Sequence, residues 1–227
     1  MNSSPIPFCR LALGTAQFGL NYGITNSTGR ISETTAREIL SVAERHSIEY
    51  LDTASGYGDS EATIGRLKNF GDNILIYTKT PNWNGLPNEN CAKEVADSFQ
   101  ASQEKLNQEQ LGGLMVHYAP DLLSRYGQDI WTAIQTIKGC GHVSQIGISV
   151  YADDPIDELA RKFNPDFIQL PISVFDQRLV ANGQLERLRS AGIKVHARSV
   201  FMQGIALIDV KNLPTHLQGL SSSLQTF

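Results

Sequence analysis

The sequence has no cluster of basic residues, no long apolar run and few cysteines. Its 19 Lys and Arg residues are dispersed and outnumbered by 23 Asp and Glu, which argues against a nucleic-acid-binding surface. No stretch approaches the roughly 20 apolar residues of a membrane-spanning helix, and the N-terminus lacks the pattern of a signal peptide. The cysteines, Cys9, Cys91 and Cys140, are far apart, as in a reducing compartment. We therefore expect a cytoplasmic protein without membrane or nucleic-acid partners.

The composition is that of a globular domain with a substantial core. Of the 227 residues, 41% are hydrophobic and 19% are charged, and the formal net charge is −4. A chain of this size can bury roughly 70% of its surface on folding. Because no Gly/Ser-rich or Pro-rich linker interrupts the sequence, we expect residues 1–227 to form a single domain.

Short apolar runs alternate with amphipathic stretches along the chain. The apolar runs have the pattern of parallel strands covered on both faces, and they comprise residues 11–15, 49–53, 74–79, 114–117, 145–149, 167–171 and 194–200. Helical patterns lie between them, one of which begins after Ser32, a good N-cap residue. This alternation predicts a parallel sheet with right-handed crossovers.

Two folds fit this pattern, and the strand ends distinguish them. A dinucleotide-binding doubly wound sheet would carry G-x-G-x-x-G after its first strand, whereas residues 14–19 are Gly-Thr-Ala-Gln-Phe-Gly. Polar residues instead end most of the predicted strands: Thr15, Asp52, Lys79, His117, Ser149, Gln169 and Ser199. Ligand groups drawn from many strand ends are typical of the (β/α)8 TIM barrel. The sequence favours that fold, with seven β/α units recognisable.

Four polar residues near adjacent strand ends have complementary chemistry. A tyrosine with a pKa near 10 is a poor acid at neutral pH, but a neighbouring ammonium favours its phenolate. Lys79 can supply that ammonium to Tyr57, and Asp52 can hold Lys79 charged and in place. His117 can then orient a substrate carbonyl toward the tyrosine hydroxyl. These four residues are the candidate catalytic set.

The chain resembles the aldo-keto reductases over most of its length. The segments that carry the resemblance are LALGTAQFG, IEYLDTASGYGDSEATIG, ILIYTKT, LGGLMVHYAPD, VSQIGISVY, DFIQLPISVFDQR and GIKVHARSVFMQGI. They place the Asp-x4-Tyr, Lys and His segments of the family in order on successive strands. The sequence LGTAQFGLNYG is similar to a branch of the family associated with sugar and polysaccharide pathways.

The resemblance implies a reaction and a cofactor. It implies hydride transfer from NADPH, or from NADH, to an aldehyde or ketone, with Tyr57 as the proton donor and no metal. Ser149 and Gln169 correspond to the residues that hold the nicotinamide carboxamide, and Ser199 is expected near the pyrophosphate. Thr15 and Arg198 complete the expected cofactor-binding set. The expected partner is a small-molecule carbonyl substrate.

The sequence departs from the family pattern at three places. Val150 stands where many members have Asn, and Arg198 stands where many stack an aromatic ring on the nicotinamide; a planar guanidinium can substitute for that ring. After the seventh strand only residues 201–227 remain, without a recognisable eighth strand or the loop that grips the 2′-phosphate. We therefore expect a C-terminally truncated or divergent barrel, whose open edge would favour pairing into a homo-oligomer.

Two other functions are considered beside the reductase. The first is a metal-dependent hydrolase that uses Asp52, His117 and His196, although these residues lack the usual zinc spacing. The second is a non-catalytic aldo-keto reductase-like barrel that binds a ligand or a partner, a hypothesis motivated by the missing eighth strand. For single residues, turn formation or surface exposure is also an adequate explanation.

Overall fold

A seven-stranded parallel sheet forms the centre of the protein. The structure, a computed structural model, describes residues 11–67 and 74–225, so that Cys9 lies outside the described residues. Each strand pairs in parallel with the next strand along the chain. The strands are β1 (Ala12–Gly14), β2 (Tyr50–Asp52), β3 (Leu75–Lys79), β4 (Leu111–Val116), β5 (Val143–Ser149), β6 (Phe167–Pro171) and β7 (Lys194–Arg198).

Helices connect the strands and cover the outer face of the sheet. They are α1 (Ala16–Gly19), α2 (Glu33–Arg45), α3 (Ser60–Arg66), α4 (Cys91–Leu106), α5 (Ala119–Leu123), α6 (Gly127–Gly139), α7 (Ile156–Phe163), α8 (Arg178–Ala181), α9 (Gln184–Ser190) and α10 (Ser221–Gln225). The predicted start of α2 is confirmed, because the Ser32 side chain accepts a hydrogen bond from the Thr35 amide. None of the described helices is long and apolar enough to cross a membrane.

The sheet is curled, as the barrel prediction requires. Gln169 on β6 donates a hydrogen bond of 2.9 Å to Asp52 on β2, although three strands lie between them. In a flat sheet strands so placed would be about 19 Å apart, since neighbouring strands are separated by about 4.8 Å. The bond therefore crosses the inside of a curved sheet, and the (β/α) barrel architecture is confirmed.

Aromatic rings fill the inside of the curled sheet below the strand ends. Tyr77, Met115 and Phe167 form a buried cluster there, and the His196 ring stacks on Phe167 with 4.5 Å between ring centroids. Gly147 makes room for this packing, because a Cβ at that position would lie 2.5 Å from the Phe167 ring. These side chains fill the inside of the barrel and form its floor, on which the polar residues at the strand ends pack.

The end of the described chain differs from the pattern of the first seven units. β7 ends at Arg198, earlier than predicted, because Ser199 has a left-handed φ of +58°. Within the described residues no strand follows β7. The segment instead forms 3₁₀ turns at Met202–Leu207, Val210–Asn212 and Thr215–Leu220, followed by α10. Ile205, Leu213 and Leu224 form a small apolar cluster that holds these turns together.

Candidate active site

A buried ion pair joins the ends of β2 and β3. Lys79 Nζ donates to both carboxylate oxygens of Asp52, at 2.9 Å each, and to the Thr53 carbonyl oxygen at 2.7 Å. The Lys79 side chain is only 1% exposed, whereas that of Asp52 is 21% exposed. A buried ammonium is stable only when its charge is paired and its protons are bonded. All three donors of Lys79 are satisfied, which fixes its position.

Tyr57 lies beside this ion pair in a loop that two glycines shape. A Cβ on Gly19 would lie 1.8 Å from the Tyr57 carbonyl oxygen, and Gly58 has a left-handed φ of +56°. The close approach of α1 therefore determines the path of the loop. Lys79 Nζ lies 4.9 Å from the centre of the Tyr57 ring. At this distance the ammonium makes a cation–π contact with the tyrosine ring.

His117 follows β4 and completes the set. Its ring meets the Tyr57 ring edge to face, with 5.8 Å between centroids and 79° between planes. Burial, together with the charge of Lys79, lowers the pKa of His117 from 6.5 to about 4. The imidazole is therefore neutral at pH 7, so that it can donate one hydrogen bond without carrying an acidic proton. The four predicted catalytic residues are thus brought together.

Buried hydroxyl groups support the site from below. Thr15 is fully buried, and its hydroxyl donates a hydrogen bond of 2.9 Å to the Asp52 carbonyl oxygen. The Ser60 hydroxyl lies 2.9 Å from the Thr15 hydroxyl and 3.0 Å from that of Thr53. These contacts tie β1, β2 and α3 together. The structure therefore places Thr15 beneath the site and not at its opening.

Two of the predicted cofactor-binding residues lie in the wall of the site. Ser149 ends β5 and pairs in register with Gln169 of β6, and both side chains are buried. Gln169 Nε2 bonds to Asp52, but its Oε1 is buried without a hydrogen-bond partner. Because such an oxygen costs free energy when unsatisfied, it is suited to an amide donor of a bound ligand.

The two remaining predicted cofactor residues lie at the end of β7: Arg198 is its last residue, and Ser199 follows it. The Arg198 guanidinium donates a hydrogen bond of 2.9 Å to the Val150 carbonyl oxygen and lies 4.5 Å from the centre of the Tyr151 ring. Ser199 is exposed and lines a cavity of about 200 Å³. Pro171, Ile172, Ser173, Met202 and Gln203 also line this cavity, which runs between the β6 and β7 loops.

Tyr22 is a residue of the site that sequence reasoning missed. The loop after α1 anchors its backbone, since Gln17 and Asn26 each donate a side-chain hydrogen bond to the Tyr22 carbonyl oxygen, at 2.8 and 2.9 Å. Burial and the neighbouring Tyr57 raise the pKa of Tyr22. Its side chain, 41% exposed, thus stands at the opening of the site. No motif marks the position, because the electrostatic influence of Tyr57 on Tyr22 arises only in the folded chain.

The residues of the hydrolase alternative do not assemble. Among residues 11–67 and 74–225, no three His, Cys, Asp or Glu side chains are grouped closely enough to hold a metal ion. His196 lies in the floor of the barrel, stacked on Phe167. The geometry therefore gives no support to a site made of Asp52, His117 and His196.

Solved structures with a similar fold are aldo-keto reductases. The holo form of AKR11C1 from Bacillus halodurans has a TM-score of 0.71 at 21% identity, with 91% of this chain and 66% of that chain covered. The glycerol dehydrogenase AKR11B4 from Gluconobacter oxydans has a TM-score of 0.68 at 20% identity, with 95% and 68% covered. AKR2E4 from Bombyx mori, in complex with NADP, has a TM-score of 0.64 at 19% identity, with 97% and 73% covered. At these identities the likeness establishes the fold.

The sequence itself gives a family assignment. A search of curated proteins gives no match. A sequence model of the aldo/keto reductase family, however, matches residues 10–216, which is most of the 227-residue chain. The match spans all seven strands and the four residues that meet at their ends. The chain therefore belongs to the aldo/keto reductase family of oxidoreductases.

Proposed function

We propose that the chain reduces an aldehyde or ketone with a nicotinamide cofactor, and that Tyr57 donates the proton. The observation that carries this proposal is the position of Tyr57, whose ring lies 4.9 Å from the buried ammonium of Lys79 and 5.8 Å from the His117 ring. Tyr57 can thus serve as the acid, Lys79 can stabilise its conjugate base, and the neutral His117 ring can donate a hydrogen bond, all within one site. This combination serves proton transfer to a carbonyl oxygen.

The residues at the ends of β5 to β7 fit the cofactor. The unpartnered Oε1 of Gln169 is an acceptor for the carboxamide N–H groups of a nicotinamide, and Ser149 is the register partner of Gln169 on β5. Ser199 and the cavity between the β6 and β7 loops offer space for the phosphate-bearing part; the carboxylate of Asp176, which also lines this cavity, is paired with Arg178 at 2.9 Å. When bound, the reduced nicotinamide supplies the hydride. We propose NADPH as the preferred form, with NADH as the alternative.

Each catalytic residue has a distinct task in the proposed reaction. The substrate carbonyl oxygen accepts hydrogen bonds from the Tyr57 hydroxyl and from the neutral His117 ring, which orients it. As the carbonyl carbon gains a hydride, the carbonyl oxygen takes the Tyr57 proton, and the product is an alcohol. Lys79 stabilises the phenolate left on Tyr57, and Asp52 keeps Lys79 in place through its two 2.9 Å bonds. Bulk water then returns a proton to the tyrosine.

Ligand binding and turnover test the proposal separately. The purified chain is titrated with NADPH and with NADH, read by protein fluorescence and by thermal shift, since a ligand that binds the folded state raises its melting temperature. A panel of aldehydes and ketones, sugar aldehydes included, then tests turnover. We expect saturable binding, and we expect Tyr57→Phe to lower kcat at least 100-fold without weakening cofactor binding, because general acid catalysis contributes about 100-fold or more.

The possible failures have different meanings. If a cooperatively folded chain bound neither cofactor, the proposed function would be wrong. If it bound a cofactor but reduced no carbonyl compound, the ligand-binding alternative would be favoured. Activity that survived Tyr57→Phe would remove this tyrosine from its role as proton donor.

A further inference from the structure

Arg198 reaches across the end of β6 to form a compact unit with residues that follow β5. Its guanidinium bonds to the Val150 carbonyl oxygen at 2.9 Å, and its Cζ lies 4.5 Å from the centre of the Tyr151 ring. Tyr151 is held in turn, since its amide donates a hydrogen bond of 2.6 Å to the Asp154 carboxylate. The guanidinium is therefore fixed by a carbonyl on one side and an aromatic ring on another.

The charge of Arg198 is not balanced by an acidic side chain. Besides the Val150 carbonyl, its guanidinium has the Ser199 hydroxyl at 3.4 Å, and within the part of the chain that the structure describes it forms no ion pair. Lys79, by contrast, is neutralised by Asp52. The pKa of His117, which burial and Lys79 lower most, is also lowered by Arg198, so that the positive charge is felt inside the site.

This charge lies next to the two residues to which the proposed function assigns the nicotinamide carboxamide. Val150 directly follows Ser149, and Pro171, the register partner of Arg198, lies two residues beyond Gln169. The oxidised nicotinamide ring is a cation, whereas the reduced ring is uncharged. An aromatic neighbour attracts a cation through its π face, but a guanidinium repels it. The replacement of a ring by Arg198 thus changes the sign of the interaction.

We propose that Arg198 makes the site discriminate between the redox states of its cofactor, so that NADPH binds more tightly than NADP⁺. Tyr151 is the positioning residue that holds the guanidinium for this purpose. The inference rests on the proposed function, because it needs a nicotinamide in this site. The consequence for turnover is that the reduced cofactor is captured selectively and the oxidised cofactor is released readily.

The ratio of the Kd of NADP⁺ to the Kd of NADPH tests the inference without any turnover. The wild-type chain is titrated with NADPH and with NADP⁺ at one ionic strength, and the Kd of each is measured by fluorescence. The phosphates are identical in the two forms, so their contribution cancels in the ratio. We expect NADP⁺ to bind about tenfold more weakly, which corresponds to about 1.4 kcal/mol. Arg198→Met, which removes the charge and keeps an unbranched side chain, should bring the ratio close to one.

Variants of Tyr151 test the positioning role. Tyr151→Ala removes the ring under the guanidinium and should lower the ratio at least threefold, whereas Tyr151→Phe keeps the ring and should keep the ratio. Arg189→Met is the matched control, because Arg189 is an exposed arginine on α9 and its loss changes the net charge equally. Circular dichroism melts verify that each variant is folded.

Each outcome decides between the claims. A wild-type ratio of one, or a high ratio that persists in Arg198→Met, would overturn the redox discrimination while cofactor binding itself stands. A high ratio in Tyr151→Ala would overturn the positioning role alone. If neither cofactor form bound to the folded wild-type chain, the proposed function would fail, and this inference with it.

Discussion

The Nε2 of Gln169 and the Oδ1 of Asp52 lie 2.9 Å apart, although 117 positions separate the two residues in the sequence. The same amide presents its Oε1 without a partner. One side chain thus connects the proposed carboxamide site with the carboxylate that holds Lys79. Under the proposed function, cofactor binding and the arrangement of the candidate catalytic residues would therefore be coupled through this contact.

Replacement of Gln169 should affect both cofactor binding and the hydrogen bond to Asp52. Gln169→Leu removes the acceptor for the cofactor and the donor to Asp52 while it keeps most of the volume. We expect cofactor affinity to fall about tenfold or more, since a lost hydrogen bond to a buried group costs about 1–3 kcal/mol. A fluorescence titration measures this loss. Gln145→Leu, on the neighbouring strand and bonded to Tyr77, is the control and should leave affinity unchanged; equal losses in both variants would contradict the coupling.

Removal of Asp52 should destabilise the fold. Asp52→Asn leaves the Lys79 ammonium, whose side chain is 1% exposed, without its counter-charge. Loss of one partner of a buried pair costs on the order of 3–5 kcal/mol. Urea unfolding measures the change in free energy. The double variant Asp52→Asn/Lys79→Met should regain part of the stability, because it leaves no buried charge; a double variant less stable than the single one would contradict this explanation.

The low pKa of His117 predicts a stability that depends on pH. The folded-state pKa is about 4, below the ordinary value of 6.5. Between these values the unfolded chain binds a proton that the folded chain does not, so stability falls as the pH falls from 6.5 to 4. The contribution of this residue is at most roughly 3.4 kcal/mol, since the shift is about 2.5 pKa units and one unit corresponds to 1.36 kcal/mol.

Urea unfolding between pH 7 and pH 4 measures this contribution. His117→Gln should show a shallower loss of stability than the wild type over that range. His216→Gln, which changes an exposed histidine, should follow the wild-type curve. If His117→Gln followed it as well, the low pKa would be refuted.

Tyr22 should affect the substrate more than the cofactor. Its ring stands at the opening of the site beside Tyr57, on a loop anchored by Gln17 and Asn26. We expect Tyr22→Ala to raise KM for the carbonyl substrate about tenfold, a change of about 1.4 kcal/mol, while the Kd of NADPH stays constant. Steady-state kinetics measures KM for the carbonyl substrate, and a titration measures the Kd of NADPH. Tyr22→Phe shows whether the ring or the hydroxyl is responsible, and a parallel loss of cofactor affinity would refute the assignment.

The sequence predicted the strands well where apolar side chains dominate them. β6 has the predicted bounds, whereas β4 begins at Leu111, three residues before its predicted start. The difference arises from Gly112 and Gly113, which weaken a strand pattern. Gly113 is nevertheless required inside the barrel, because a Cβ there would lie 2.5 Å from the Tyr77 ring. Such a requirement comes from the packing of a distant strand and is invisible in the local pattern.

The candidate site could be predicted where its residues lie at the ends of strands. Asp52, Lys79 and His117 could be identified from the apolar runs that precede them, and Tyr57 from its motif. The link from Arg198 to Val150 could not be predicted, because the sequence marks Arg198 as a candidate cofactor residue and Val150 as a departure from the family pattern, without a relation between the two. Their contact depends on the curvature of the sheet, which brings the ends of β5 and β7 within reach of one side chain.

The strictly sequential strand order separates the candidate catalytic residues from most of the candidate cofactor residues along the chain. Every strand pairs only with its neighbours in the sequence, and an exposed turn at residues 140–141 lies between α6 and β5. The four candidate catalytic residues all precede this turn, and the cofactor candidates other than Thr15 all follow it: Ser149, Gln169, Arg198 and Ser199. Under the proposed function, exchange of the second segment for that of another barrel would alter cofactor choice while the candidate catalytic residues stay intact, provided that the new segment supplies the amide that Gln169 offers to Asp52.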